Sequence, residues 1–196
     1  MGKINVVETN LKDAYIIEPA VFGDARGFFT ESYSQEDFFN AGIKIDFVQD
    51  NHSLTASAGT LRGMHFQKGE HAQTKLVRVI TGVVYDVIVD LRKGSPTYGK
   101  WQGFILSESN QRQLLVPQGF AHAFLTLSEN VNFVYKCDNY YNAEADGGIN
   151  YNSPELKIDW PYDLDKIITS DKDKILPTFS EYEKVNEFVY DLNSNL

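Results

Sequence analysis

The stretch LRGMHFQKGEHAQTKLVRVITGVVYDVIVDLR, residues 61–92, contains three successive runs rich in apolar and β-branched residues. The runs are LRGMHFQ, KLVRVI and VVYDVIVDL, and each has about the length of an ordinary strand. Polar and glycine-containing segments separate them, which predicts consecutive antiparallel strands. The first run also contains Arg62 and His65, where a strand normally has Val or Ile. These two residues therefore suggest a function inside the sheet.

Similar runs continue on both sides of this stretch. They include AYIIEPAVF, GFFTESYS, KWQGFILS, RQLLVP, AHAFLTLS and VNFVYKCDNYY, with Gly, Ser, Asn or Pro between them. Short strands at such close spacing are typical of a sandwich or a barrel. We predict an all-β fold, an antiparallel β-barrel or jelly roll over about residues 15–160, within a single domain of 196 residues.

Short helices are predicted at the periphery of the barrel. SQEDFFNAG, residues 34–42, has Ser34 as a candidate N-cap and ends at Gly42. The chain becomes more polar from Asp163 onward, and PTFSEYEKVNEFVYDL, residues 177–192, is predicted to form a terminal helix. We expect a helical tail over about residues 163–196, packed on the barrel.

The charge of the chain limits its partners. The net charge is −9 and the pI is about 4.9, which argues against nucleic acid and anionic membranes, because phosphate binding requires a basic face. No run approaches the ~20 apolar residues of a membrane span. The N-terminal stretch MGKINVVETN lacks the apolar core of a signal peptide, so we expect a cytoplasmic protein. Cys137 is the only cysteine, which excludes an internal disulfide.

Two histidines lie in separate predicted strands. His65 is in LRGMHFQ, and His122 follows a turn in VPQGFAHAF. The pair resembles the arrangement in cupin barrels. Metal-binding cupins have H-x-H in the first motif, whereas here Gln67 occupies the second position. Two histidines without a matched carboxylate make a poor site for iron, manganese or zinc, so we expect no metal.

Lys75 and Tyr135 are further polar residues in predicted strands. Taken singly, Tyr135 is explained as a core tyrosine with a satisfied hydroxyl, and Lys75 as a solvated strand end. Together with His65 they supply a base, a cation and a phenolic acid, which deprotonation beside a carbonyl requires. Strict alternation places Arg62 on the face opposite to His65. Arg62 therefore requires a bulge near Gly63, a strand-end position or a subunit interface.

The ordered motifs resemble the dTDP-4-dehydrorhamnose 3,5-epimerases of rhamnose biosynthesis. The resemblance covers about residues 4–178 and rests on VFGDARGFF, FVQDNHS, LRGMHFQ, VDLR, SPT, LLVPQGFAHAFLTLSE, YKCDNYYNAEADGGI, IDWP and SDKDKILP. It implies a cupin-type barrel that converts dTDP-4-dehydro-6-deoxy-D-glucose to dTDP-4-dehydro-L-rhamnose. The conversion removes and returns protons at carbons 3 and 5, and no cofactor is required.

The resemblance also implies the catalytic roles. His65 matches the base, Asp173 the aspartate that orients it, Tyr135 the proton donor on the opposite face, and Lys75 the lysine that stabilises the enolate oxygen. Asp171, two residues before Asp173, competes for the aspartate role. The spacing from KD to the later proline favours Asp173.

The remaining matched residues are expected to bind the dTDP-linked 4-keto-6-deoxyhexose. They are Arg26, Phe29, Glu31, Gln49, Asp50, Asn51, Arg62, His122, Tyr141, Asp146 and Lys172. Tyr141 matches an aromatic residue that stacks on thymine. Asp146 stands where many relatives have glutamate, and its shorter side chain puts that contact in doubt. The segment around Arg26 and Phe29 is implied to cross to a neighbouring subunit.

A homodimer is expected on a second ground. The stretch of residues 14–34 carries Phe22, Phe28, Phe29 and Tyr33, more aromatic surface than one short β-arm usually hides within its own chain.

Three alternatives stay open. The first is a single-carbon epimerase of another nucleotide 4-ketosugar, whose motifs for proton abstraction look alike. The second is a sugar-nucleotide-binding barrel without turnover, against which the joint presence of the four catalytic-type residues argues. The third is a metal-dependent oxygenase, weakened by the missing ligands.

Overall fold

The computed structural model describes residues 4–192. The strands are β1 (Ile4–Glu8), β2 (Tyr15–Pro19), β3 (Val21–Asp24), β4 (Gly27–Thr30), β5 (Gln49–Thr55), β6 (Leu61–Gln67), β7 (Lys75–Thr81), β8 (Val83–Asp90), β9 (Trp101–Ser107), β10 (Gln113–Val116), β11 (Phe120–Thr126), β12 (Val131–Cys137) and β13 (Asp146–Gly148). The helices are α1 (Gln35–Asn40), α2 (Asp171–Lys174) and α3 (Phe179–Glu183), with 3₁₀ turns at Gly69–His71 and Leu164–Lys166. Within these described residues, no helix is long and apolar enough to cross a membrane.

Two antiparallel sheets form the body of the molecule. One has the order β1-β2-β10-β7-β12-β5 and the other the order β13-β6-β11-β8-β9. Side chains from both sheets pack together in one buried cluster, which includes Val77, Val84, Leu114, Phe124 and Phe133. The predicted all-β, cupin-like fold is confirmed. Strand pairing begins earlier than about residue 15, because Ile4–Glu8 pairs with β2 as an edge strand.

The outer faces of the two sheets are covered by different segments. Met64, Phe66 and Val87 on the outside of the second sheet pack with Trp160 and Phe188 from the C-terminal segment. On the first sheet, a smaller cluster joins sheet residues to the region of α1; its members are Ile17, Leu76 and Leu115 with Phe38, Ile43 and Ile45. The C-terminal segment is therefore bound to the sheet that contains β6.

The predicted helix at residues 34–42 is confirmed as α1. The Ser34 side chain accepts a hydrogen bond from the Asp37 N–H at 3.3 Å, which is the expected N-cap contact. Gly42 follows the helix with φ +88°, a left-handed conformation that glycine adopts without a steric cost.

The long terminal helix predicted for residues 177–192 is wrong, because the helix there, α3, spans only Phe179–Glu183. Beyond it the chain makes tertiary contacts that a continuing helix would prevent. The Asn186 side-chain amide donates to Leu91 O at 2.6 Å, and the Lys93 N–H donates to Phe188 O at 2.9 Å. Phe188 is buried against the sheet, so tertiary packing outweighs local helix propensity. Residues 193–196 of the predicted tail lie outside the described residues.

Candidate active site

A bulge in β6 decides which side chains of LRGMHFQ face the interior. His65 pairs with His122 and Arg62 pairs with Phe124, so three steps along β6 correspond to two along β11. The extra residue reverses the alternation, and Arg62 and His65 both line the cavity between the sheets. Gly63 in the bulge has φ +130°, and a Cβ there would lie 2.5 Å from the Ala123 Cβ. Of the three explanations for Arg62, the bulge is the one observed.

His65 is held by a buried carboxylate. Its Nε2 lies 2.6 Å from Oδ1 of Asp173, which is 3% exposed on α2. An ionised Asp173 accepts the Nε2–H, so the neutral imidazole keeps its lone pair on Nδ1. Asp171, in contrast, is solvent-exposed and pairs with Lys174 at 2.9 Å. The geometry therefore brings Asp173, and not Asp171, to His65.

The environment of Asp173 keeps it ionised. Burial acts to raise the pKa of the Asp173 carboxyl, but the bonds from His65, Gly63 and Ser170 outweigh burial and hold this pKa below its ordinary value. The Gly63 N–H donates to Oδ2 at 3.3 Å, so the bulge itself contributes one of these bonds. A fixed negative charge behind an imidazole stabilises the imidazolium that forms when the ring takes a proton.

A second histidine of the same cavity, His122, is also held by a buried carboxylate. His122 Nε2 is 3.0 Å from Oδ1 and 2.9 Å from Oδ2 of Asp86, which is fully buried. His122 was predicted from the resemblance to be a substrate-binding residue, whereas Asp86 was assigned no role. The signal was present, since Asp86 is a carboxylate inside the apolar run VVYDVIVDL. It became interpretable only once β8 and β11 were paired.

Lys75 and Tyr135 lie side by side on the first sheet. The Lys75 Nζ is 5.9 Å from the centre of the Tyr135 ring. Burial lowers the pKa of Lys75, because the charged ammonium loses solvent. Burial also raises the pKa of Tyr135, with the Cys137 thiol adding to the rise and Arg62 opposing it. Tyr135 is therefore a protonated phenol, able to donate a proton, throughout the neutral range.

These side chains line one cavity of about 570 Å³, within the size range of small-molecule sites. The cavity brings together all four residues predicted to be catalytic. It also contains four of the predicted substrate-binding residues, which are Asn51, Arg62, His122 and Lys172. Arg62 is oriented by Thr55, whose Oγ1 accepts from the Arg62 Nε at 3.1 Å.

Three other predicted residues, Gln49, Tyr141 and Asp146, lie beside the cavity and are linked, directly or through one another, to its lining residues by hydrogen bonds or a salt bridge. Gln49 donates to Oδ1 of Asn51 at 3.1 Å, and its Oε1 accepts the Tyr141 N–H at 3.1 Å. Asp146 forms a salt bridge with Lys172. The shorter acid at position 146 therefore has a partner within the chain.

The remaining predicted residues are not brought to the cavity of this chain. Arg26 and Phe29 belong to the β3–β4 hairpin, where Arg26 is exposed and pairs with Asp24. Glu31 follows the hairpin, and the Asp50 side chain is exposed and pairs with Lys136 at 2.9 Å. The positions of Arg26, Phe29 and Glu31 agree with contacts made across a subunit boundary, which stay a prediction.

Two hydroxyl groups that line the cavity were not predicted from the sequence. Ser53 and Thr169 each have a buried side-chain oxygen with no hydrogen-bond partner in the described part of the chain. A buried hydroxyl without a partner is costly, and a ligand oxygen would satisfy it. Serine and threonine are too common in strands and loops for the sequence to have singled these two out.

Comparison with known proteins connects this geometry to a family. Residues 8–181 match the family model described as dTDP-4-dehydrorhamnose 3,5-epimerase. The chain is 50% identical to the dTDP-4-dehydrorhamnose 3,5-epimerase of Escherichia coli strain K12 over 179 residues, which covers 91% of this chain and 96% of the relative. This chain belongs to the dTDP-4-dehydrorhamnose 3,5-epimerase family. The resemblance inferred from the motifs is thus confirmed, and with it the isomerase class.

Solved structures of family members have the same fold. The dTDP-4-dehydrorhamnose 3,5-epimerase of Bacillus anthracis strain Ames, with TDP and PPi bound, is 55% identical with a TM-score of 0.86, and the match covers 89% of this chain and 99% of that chain. The dTDP-6-deoxy-D-glucose-3,5-epimerase of Legionella pneumophila, in complex with dTDP-4-keto-L-rhamnose, is 42% identical with a TM-score of 0.90 and coverages of 96% and 99%. The family fold therefore extends over nearly the whole chain.

If this site has the epimerase activity of its family, the lowered pKa of Lys75 predicts that the activity is lost at high pH. As pH rises, Lys75 loses its proton earlier than an ordinary lysine, and with it the charge that offsets an enolate. The kcat/KM should therefore fall below the pH at which a free lysine titrates. Lys75→Arg, which stays protonated, should move this fall to higher pH in a pH–rate profile.

A matched variant controls this measurement. Lys136 pairs with Asp50 at the surface, and Lys136→Arg should leave the alkaline limb in its place. An unchanged alkaline limb in Lys75→Arg would assign the titration to another group.

Turnover at this site is expected to require no metal ion. Among residues 4–192, no three His, Cys, Asp or Glu side chains are grouped as metal ligands. We expect turnover to survive dialysis against EDTA, checked by assaying product before and after dialysis alongside metal analysis. Activity lost on chelation and restored by one specific metal ion would contradict this expectation.

Proposed function

We propose that this protein converts dTDP-4-dehydro-6-deoxy-D-glucose to dTDP-4-dehydro-L-rhamnose, by epimerisation at carbons 3 and 5. The observation that carries the proposal is the His65–Asp173 pair in the same cavity as Lys75 and Tyr135. A base held by a buried carboxylate, a cation and a protonated phenol form the set that proton abstraction and return beside a ketone require.

The chemistry follows from the acidity of the substrate. The 4-keto group acidifies the hydrogens on carbons 3 and 5. His65 removes one of these protons, and Asp173 stabilises the resulting imidazolium. The electron pair moves onto the keto oxygen, where Lys75 offsets the negative charge of the enolate. Tyr135 then returns a proton to the opposite face of the same carbon, which inverts it. His65 then releases its proton to solvent and Tyr135 takes up a proton from solvent, which restores both groups. A second round at the other carbon completes the reaction without a redox step.

Isotope exchange tests the proposal. The purified protein is incubated with dTDP-4-keto-6-deoxyglucose in heavy water, and the product is analysed by NMR. We expect deuterium at both carbon 3 and carbon 5, with both centres inverted. Deuterium at a single carbon would instead support the single-carbon epimerase, and binding without exchange would support a sugar-nucleotide-binding barrel.

We also propose that the protein is a homodimer. The β3–β4 hairpin forms a two-stranded sheet separate from the two large sheets. Its aromatic residues are solvent-exposed within one chain, with Phe22 55%, Phe28 60% and Phe29 64% accessible. Apolar surface of this kind is typical of a subunit interface. A partner subunit would cover it and would bring Arg26 and Phe29 towards a second cavity.

Light scattering at micromolar concentration should therefore give the mass of two chains. Removing the aromatic surface with Phe22→Ser and Phe28→Ser should shift the mass towards one chain and reduce activity. Val185→Ser, at another exposed apolar residue, is the matched control and should leave the dimer intact. A fully active wild-type monomer would rule out this interface.

A further inference from the structure

A loop with two exposed tyrosines borders the cavity. It connects β12 to β13, and Tyr140 and Tyr141 on it are 66% and 57% accessible. Tyr141 lies near Lys172, a residue of the cavity wall. The pKa of Lys172 is raised first by its bond to Asp146 and further, to a smaller extent, by the proximity of Tyr141. The position of this loop therefore determines where the Tyr141 ring lies relative to a ligand in the cavity.

Gln67, the last residue of β6, holds this loop with a buried side chain. Its side chain is 4% exposed, and its Oε1 accepts the Asn142 N–H at 2.8 Å. Asn142 is the residue after Tyr141, so the bond fixes the backbone at the tyrosine. The Asn142 side chain in turn accepts the Glu144 N–H at 2.8 Å, which braces the following turn.

The other end of the Gln67 amide contacts the carboxylate that pairs with α2. Its Nε2 lies 3.4 Å from Oδ1 of Asp146, and Asp146 forms the salt bridge with Lys172. Gln67 also comes two residues after His65 on β6. One side chain thus connects the strand of the proposed base, the tyrosine loop and the carboxylate that binds α2.

We propose that Gln67 is a positioning residue for nucleotide binding, which holds the Asn142 N–H and so sets where Tyr141 stands beside the cavity. Gln67 occupies the position at which metal-binding cupins have a second histidine, and here the side chain supports a recognition loop. A glutamine is suited to this task because it accepts from the loop and donates to Asp146 at the same time. The inference rests on the proposed function only in taking dTDP as the ligand.

The test is a double-mutant cycle read by calorimetry with dTDP, which requires no turnover. Gln67→Met keeps the length of the side chain and removes both hydrogen bonds. Because the loop N–H then lacks its acceptor, we expect dTDP binding to weaken roughly tenfold. In the Tyr141→Ala background, the same change should weaken dTDP binding by less than about twofold, since Gln67 acts through Tyr141.

Three further measurements distinguish a specific effect of Gln67 on the position of Tyr141 from a general loosening of the binding site. Binding of inorganic diphosphate should be unchanged in Gln67→Met, and kcat for the keto sugar should stay within about threefold while KM rises. Gln102 on β9 is the matched control, because its Oε1 also accepts a backbone N–H, that of Asn10, at 2.9 Å. The variant Gln102→Met should bind dTDP like the wild type.

Two results would overturn the proposal. One is wild-type dTDP affinity in Gln67→Met, and the other is an equal loss in the presence and absence of the Tyr141 ring. If dTDP binding follows the cycle while no deuterium exchange occurs with the keto sugar, the proposed function fails and the role of Gln67 stands.

Discussion

Replacing His65 by alanine should lower the rate of epimerisation by about 10²–10⁴-fold, the contribution typical of a positioned general base. His65 is the imidazole that Asp173 holds in the cavity. Without it the cavity retains Lys75 and Tyr135, which stabilise an enolate and return a proton but do not initiate the reaction. Deuterium uptake at carbons 3 and 5 should fall together with product formation, measured by NMR on one sample.

A second variant separates loss of the base from loss of the fold. Alanine removes the donor that lies 2.6 Å from the buried Asp173 carboxylate, and a buried acceptor that loses a hydrogen bond destabilises the fold. His65→Gln keeps an N–H that can reach Asp173 but provides no base. It should be as inactive as His65→Ala and closer to the wild type in thermal melting temperature. Near-normal exchange in either variant would remove His65 from the role of base.

Changing Tyr135 to phenylalanine should separate isotope exchange from inversion. The ring remains against Phe133, so packing changes little and the sugar nucleotide should still bind. His65 still removes a proton and Lys75 still stabilises the enolate, but the phenol that supplies a proton to the other face is absent. His65 then returns deuterium to the face from which the proton came. Exchange should persist while inverted product falls by about 10²–10⁴-fold.

A buried tyrosine elsewhere provides the control. Tyr182 is buried and packs against Phe66 on the outer side of β6, and Tyr182→Phe should leave both exchange and inversion unchanged. If Tyr135 is only a core residue, its variant should lose about 1 kcal/mol of unfolding free energy and keep both activities. Equal, wild-type values of exchange and inversion in Tyr135→Phe would support that explanation.

Much of the fold is predictable because its elements depend on local pattern. Alternation, β-branched residues and turn residues predicted the strands, and a serine before an acidic first turn predicted α1. The pattern was less informative at the two ends of the chain. β1 is an edge strand with weak alternation, and Pro177–Leu192 has helix formers whose apolar residues instead contact the sheet and the loop around Lys93.

The side chains of the candidate site were predicted from the sequence, but their arrangement was not. His65, Lys75 and Tyr135 were predicted because the residue types needed for enolate chemistry are few, and Asp173 was predicted from the family resemblance. Asp171 and Asp173 are the same residue type two positions apart, and the sequence favoured Asp173 only by its spacing to the later proline. The direction of each side chain from the short α2 shows that Asp173 is the one that reaches His65. The contact between His122 and the buried Asp86 likewise results from the pairing of β11 with β8.

The sequence by itself determined the strand content, the family and the inventory of reactive groups, because these depend on residue type and spacing along the chain. The tertiary structure decided which groups meet. The bulge at Gly63 turns Arg62 into the cavity, and α2 delivers Asp173 to His65 from 108 residues away. Both follow from the register and packing of segments distant in sequence. The bulge and the position of α2 are stabilised by contacts between residues distant in sequence, and a local sequence pattern contains no information about such contacts.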